Sequence, residues 1–162
     1  MEAPPTIERP GVRKSKVKII LIILGGIFLI IIGLFIWLGS GPEGGVRTLN
    51  NMEQYAWDYI ETHNLLNNTE ELVAYYDVTV FSNSSECAIL TTERLLYHKE
   101  GRTTSVNIED IADVQHHYES LIGDVIEVKN KSGVRFRIEI APFNGGETFY
   151  NALMDVWSAS GV

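Results

Sequence analysis

The chain has 162 residues, with thirteen Lys or Arg against twenty-one Asp or Glu and a formal net charge of -8. A field of that sign repels nucleic-acid phosphates and anionic head groups, which are bound through clustered Lys and Arg, so nucleic acid is excluded as a partner. Cys87 is the single cysteine, which rules out an intrachain disulfide and a thiolate metal cluster.

Residues 1–18 hold three prolines, five basic residues and few apolar ones, the composition of a disordered basic arm. Ile19 to Leu38 follows as twenty apolar residues with no charge among them. Twenty helical residues reach about 30 Å, the thickness of a hydrocarbon core, so this run predicts a single transmembrane helix with the lipid bilayer as its partner. Arg9, Arg13, Lys14, Lys16 and Lys18 precede it, whereas residues 39–58 hold only Arg47. That asymmetry places the N-terminus in the cytoplasm and the rest of the chain outside, as in a single-pass protein of the plasma membrane. Phe35, Trp37, Lys16 and Lys18 are the expected membrane-interface anchors. A cleaved signal peptide, leaving a secreted protein, is the alternative, because a basic stretch precedes the run and Gly39, Ser40 and Gly41 follow it.

A Gly-rich linker, 39–45, leads to a predicted folded domain over 46–162 with eight basic and eighteen acidic residues, a net -10. Met52, Tyr55, Ala56, Tyr59, Ile60 and His63 recur at helical spacing and draw one apolar stripe over about 51–66. Asn50 with Glu53, or Asn51 with Gln54, is the candidate N-terminal cap. Trp57 falls off the stripe, facing a partner, the membrane surface or a neighbouring loop.

From Glu71 the period changes to two, which predicts a strand running to Phe81. Six more follow: 87–90, 94–98, 103–108, 112–120, 125–129 and 134–140, with a helical turn at 108–111 before the fifth. In the fifth, Asp113, Gln115, His117 and Glu119 share one face and Ala112, Val114, His116 and Tyr118 the other. Asn144 with Glu147 reads as a cap opening a last helix, whose Phe149, Ala152, Leu153, Val156 and Trp157 fall on one side. Asn67, Asn83 and Asn130 each head an Asn-x-Ser/Thr triplet, where chance supplies about one, a pointer to glycosylation.

Seven antiparallel strands closed by an amphipathic helix predict a membrane-anchored α+β chain whose domain is a seven-stranded, partly open barrel with a C-terminal capping helix. The segments Ile89-Leu90-Thr91-Thr92-Glu93-Arg94-Leu95-Leu96-Tyr97 and Ser105-Val106-Asn107-Ile108-Glu109-Asp110-Ile111-Ala112-Asp113-Val114 carry a resemblance. They look like the strand turn and the helical-turn segment of the pleckstrin-homology-like superfamily, and within it of the bacterial PH-like and GRAM-like domains. The resemblance covers about 71–157 and implies that barrel.

Many domains of this superfamily bind inositol phosphates through basic residues in the loop joining the first two strands. Here that loop, 81–86, has no Lys or Arg, so phosphoinositide binding does not carry over. His116 and His117 are adjacent on a strand and point to opposite faces, and His117 with Glu119 supplies two ligands where a closed zinc site needs four. No nucleophile motif, phosphate loop or metal-ligand spacing occurs, so no catalytic residue, metal or cofactor is implied.

Two readings of function stand. One is a non-catalytic interaction domain, held at a membrane, that binds a protein partner or joins a membrane complex. The other is an enzyme or metal-binding domain whose site is not visible as a motif. For the first, the resemblance implies a docking place: relatives of the phosphotyrosine-binding type accept a peptide as an added strand along their fifth strand. The matching positions are Asp113, Gln115, His117 and Glu119, a row suited to a basic or polar segment.

Overall fold

The computed structural model describes residues 13–39, 44–79 and 82–161, and for 13–18 and 35–39 it describes the backbone alone. The chain divides into two units, Met1–Glu43 and Gly44–Val162. The first contains helix α1, Arg13–Gly39, whose side chains from Ile19 to Leu34 are exposed on every side. Among the described residues no helix is long and apolar enough to cross a membrane. The spanning helix expected over 19–38, and the single-pass plasma-membrane placement built on it, are withdrawn accordingly. The side chains of Lys16, Lys18, Phe35 and Trp37, the expected interface anchors, lie outside the described residues.

The second unit corrects the barrel. Its seven strands do not join into one sheet. β1 (Leu72–Asp77), β2 (Glu86–Thr91), β3 (Arg94–Lys99) and β4 (Arg102–Asn107) form one antiparallel meander, and β5 (Ile111–Glu119), β6 (Gly123–Asn130) and β7 (Arg135–Ile140) form another. A 3-10 turn, Ile108–Asp110, joins the two. It buries Ile108 between them, so the ladder breaks where the chain changes sheets.

The sheets share one core. Ala74, Tyr76, Ala88, Leu90, Leu95 and Val106 from the first pack with Ile126, Val128, Phe136, Ile138 and Ile140 from the second. Helix α3, Gly146–Ala159, adds Phe149 and Leu153, both fully buried. At about 1.5–3 kcal/mol for each such side chain, these two anchors hold the helix against the sheets.

The other face of the four-stranded sheet is covered as well. Helix α2, Gln54–Thr62, lays Ala56 and Ile60 on Leu72, Tyr75, Cys87, Ile89 and Leu96. With both faces covered, Cys87 to Thr91 of β2 are buried without a break, so this strand shows no inside-outside alternation. In β1 the register shifts between Leu72 and Ala74, which lets Leu72 join the α2 side while Ala74 joins the inner core. A second shift between Ile111 and Asp113 lets Ile111 enter the core while Asp113 faces water.

Two boundaries depart from the sequence reading. The helix expected to reach residue 66 ends at Thr62, because Asn64 adopts a left-handed φ of 49°. The Asn64 and Leu65 amides then donate to Glu61 and Ile60, the paired bonds of a Schellman cap, with Leu65 folding back against Ile60. The start differs too. Thr48 and Asn51 cap a separate 3-10 turn, Leu49–Asn51, and α2 begins after Glu53. At α3 the cap is Gly145, at φ 80°, and not Asn144, whose carbonyl instead accepts the Val46 amide at 2.8 Å.

Candidate functional site

β5 lies at the edge of its sheet. It pairs with β6 on one side, and among the described residues no strand is hydrogen-bonded along its other side. The row Asp113, Gln115, His117 and Glu119 lies on the face turned away from the core, and it is not a bare acidic strip. Gln115 Nε2 donates to Asp113 Oδ2 at 2.9 Å, and His117 Nε2 lies 3.0 Å from Glu119 Oε1.

Arg137, from β7, organises the far end of that face. Its guanidinium reaches Glu139 at 2.8 Å, Glu119 at 3.4 Å and Glu127 at 3.8 Å, linking all three strands. Beneath these side chains Val125, on the same face, is fully buried. Toward the other end, a shallow depression of about 170 Å³ is lined by Asp113, Gln115, Glu127, Lys129 and Arg135. The expected docking row therefore falls into two parts: Glu119 and His117 belong to a cross-strand ion-pair network, whereas Asp113 and Gln115 border an open recess. A network of exposed pairs of this kind contributes little to stability and sets which charges a visitor meets.

The opposite side of β5 carries a constellation that the sequence reading did not assemble. His116 Nε2 lies 2.7 Å from Asp124 Oδ1, and the imidazole stacks on Tyr150 with ring centroids 4.6 Å apart. Asp124 in turn packs directly against Gly146, the first residue of α3. A carboxylate at a helix N-terminus complements its unsatisfied amides and dipole. His116 and Asp124 thereby tie the β5 edge to the start of α3. Asp124 is eight residues on, across the β5–β6 hairpin, and Tyr150 is distant in the sequence; neither carries a motif, so only the hairpin register and the seating of α3 bring the three together.

The loop after β1 is organised by Asp77. Its carboxylate accepts the Thr79 amide at 2.8 Å, the Thr79 hydroxyl at 2.5 Å and the Ser84 amide at 2.8 Å, while Tyr75 donates its hydroxyl to Ser84. This explains why β1 stops at Asp77 and does not run on to residue 81: the side chain takes up backbone donors that a continuing ladder would have used. Val80 and Phe81 lie outside the described residues. Cys87, next along the register, is fully buried, and burial pushes its thiol up to about 12, which makes it unreactive in the closed fold. Trp57 is half-buried against the α2 cluster and borders a surface recess with Leu66, Asn67, Asn68 and Glu70.

Among the described residues, no group of three or more His, Cys, Asp or Glu side chains is placed to hold a metal ion. No protein-family model, no curated protein and no solved structure matches this chain.

Proposed function

We propose that residues 44–162 act as a non-catalytic interaction domain, taking an extended segment of a protein partner along the free edge of β5. The carrying observation is that β5 ends its sheet with one side unpaired while its flanking faces are already occupied, one by an ion-pair network and the other by the His116–Tyr150 stack against α3. An unpaired edge presents a row of amides and carbonyls that an added strand satisfies. The resemblance to pleckstrin-homology-like domains points to the same strand. Asp113 has no basic partner in an ion pair among the described residues and borders the recess beside Gln115, so a polar or basic segment is the fitting occupant. The net -10 of residues 46–162 favours such a segment over a nucleic acid.

The test is site-specific photocrosslinking of the full-length chain in its own cells, with the crosslinker at Gln115 and, as control, at Thr104 on β4, the edge of the other sheet. The expected result is a dominant crosslinked protein from position 115 only. A proline scan of Val114 and Gln115, read with the crosslinker moved to His117 on the same face, sharpens it, because adjacent residues direct their amides to opposite sides of a strand. One of the two variants should stay folded and lose the crosslink. Equal crosslinking from positions 104 and 115, or a crosslink that survives both prolines, would exclude this edge.

A further inference from the structure

Two histidines meet where α2 lies on the four-stranded sheet. His98, on β3, is buried, and both its ring nitrogens are engaged: Nε2 lies 3.1 Å from the Tyr59 hydroxyl and Nδ1 lies 2.9 Å from the Thr103 hydroxyl. His63, the exposed C-cap of α2, stacks on Tyr59 at 3.9 Å and stands 5.7 Å from the His98 ring, centroid to centroid. Its Nδ1 donates to the Tyr59 carbonyl at 3.0 Å. The Tyr59 ring thus touches both imidazoles, the three rings forming a triangle, and it belongs to the face by which α2 is attached.

We propose that this contact is a pH-sensitive latch: protonation of the buried His98, beside His63, releases α2 and uncovers the sheet face formed by Tyr75, Cys87, Ile89 and Leu96.

The surroundings leave a proton on His98 uncompensated. Facing the pair are Tyr55 and Tyr59 from α2, Cys87 from β2 and Thr103 from β4, all neutral. Asp77 is the acidic group of the same register row, one strand beyond Cys87, and its oxygens are taken by Thr79 and Ser84. Glu86 and Lys99 sit one register position away, where side chains alternate to the other face, and pair with each other at 3.0 Å. No carboxylate is hydrogen-bonded to either imidazole among the described residues. Burial, and then the neighbouring His63, hold the His98 imidazole below its ordinary value of 6.5, so the latched state takes up protons less readily than the open one. Latching is therefore complete above that value and is lost as pH falls through the lower, folded one.

The flap is able to move as a unit. α2 has nine residues, too few to persist as a helix once undocked, and its end is marked by the left-handed Asn64. The inner core, with α3 between the two sheets, uses the opposite face of the sheet and needs no α2 residue.

Cys87 is a built-in reporter, because it is the single cysteine and lies beneath α2. The experiment follows its reaction with 4,4′-dithiodipyridine in the full-length chain from pH 7.5 to 5.5, normalised to glutathione at each pH to remove the thiolate fraction. With an open-state value of 6.5, one proton taken up on opening raises the open population by at most about tenfold between pH 7.5 and 5.5, so a rise of up to about tenfold in the normalised rate is expected over this range. The rise should shrink in His63→Gln, a change at an exposed position that leaves the burial of His98 in place, and disappear in His98→Gln if that variant folds. Hydrogen exchange at pH 5.5 should show α2 amides unprotected while those of Val125–Val128 and Phe149–Leu153 remain protected. A flat or falling normalised rate, an undiminished rise in His63→Gln, or joint loss of protection in α2, β6 and α3 would overturn the latch.

Discussion

Asp124 on β6 occupies the space beside Gly146 where any side chain at that position would stand: a Cβ there would lie 2.2 Å from the Asp124 Cβ and 2.4 Å from its Cγ. Gly146 opens α3, so the close approach seats the helix on the second sheet and carries Tyr150 to His116.

Gly146→Ala is accordingly expected to destabilise the domain by about 1–3 kcal/mol, despite the roughly 1 kcal/mol that alanine gains over glycine inside a helix. Denaturant unfolding measures it. Asp124→Gly in the same chain should recover part of the loss, so the double variant should cost less than the two single changes added together.

Glu70 and Arg94 form an ion pair at the domain's rim, with the Glu70 side chain fully buried and a shortest N–O distance of 2.8 Å. Arg94 also donates to the Leu65 carbonyl at 3.1 Å, clamping the segment after α2. Burial opposes the charge of Glu70, but hydrogen bonds from Arg94, Thr91 and the Asn67 amide outweigh it and hold the carboxyl below its ordinary value of 4.5. Its contribution is present above that value and lost as pH falls through the lower, folded one. Arg94→Ala should cost about 2–4 kcal/mol at pH 7, toward the low side for a buried pair because Arg94 keeps a fifth of its side chain in water. The cost should shrink as pH falls through the lowered value, where Glu70 becomes neutral. Urea unfolding of both chains at pH 7 and pH 3.5 gives the comparison.

Trp157 on α3 carries a buried Nε1 with no hydrogen-bond partner among the described residues. Trp157→Phe removes that unsatisfied donor while keeping most of the apolar ring, so the two effects offset and the change is expected to stay within about 1 kcal/mol. Phe149→Ala, about two turns earlier on the same side of α3, should cost about 3–5 kcal/mol. Thermal unfolding of the two variants side by side separates a donor effect from a cavity effect.

Local chemistry made several features legible from the residues alone. The polar turn 130–133, the helical turn at 108–111 and the apolar stripe of α3 follow from side chains within a few positions of one another. So does the division of the β5 faces, because alternation along a strand is a property of the backbone. Asn64, which ends α2, carried a signal too: asparagine tolerates the left-handed conformation, and it stood inside a stripe that was read through to residue 66.

What the sequence could not decide is which edges close and which faces meet. Alternating strands are equally compatible with one barrel and with two facing sheets, and the choice fell to the bulges in β1 and β5 and to the 3-10 turn that breaks the ladder between β4 and β5. The covering of the first sheet by α2 depends on contacts across tens of residues; Tyr59 and His98 are 39 apart. The same holds for the answering of Glu119 by Arg137, 18 residues on. Spacing determines the face a side chain takes on its own element, whereas its partner is selected by register, twist and packing over the whole core, and these exist only once the chain has closed on itself.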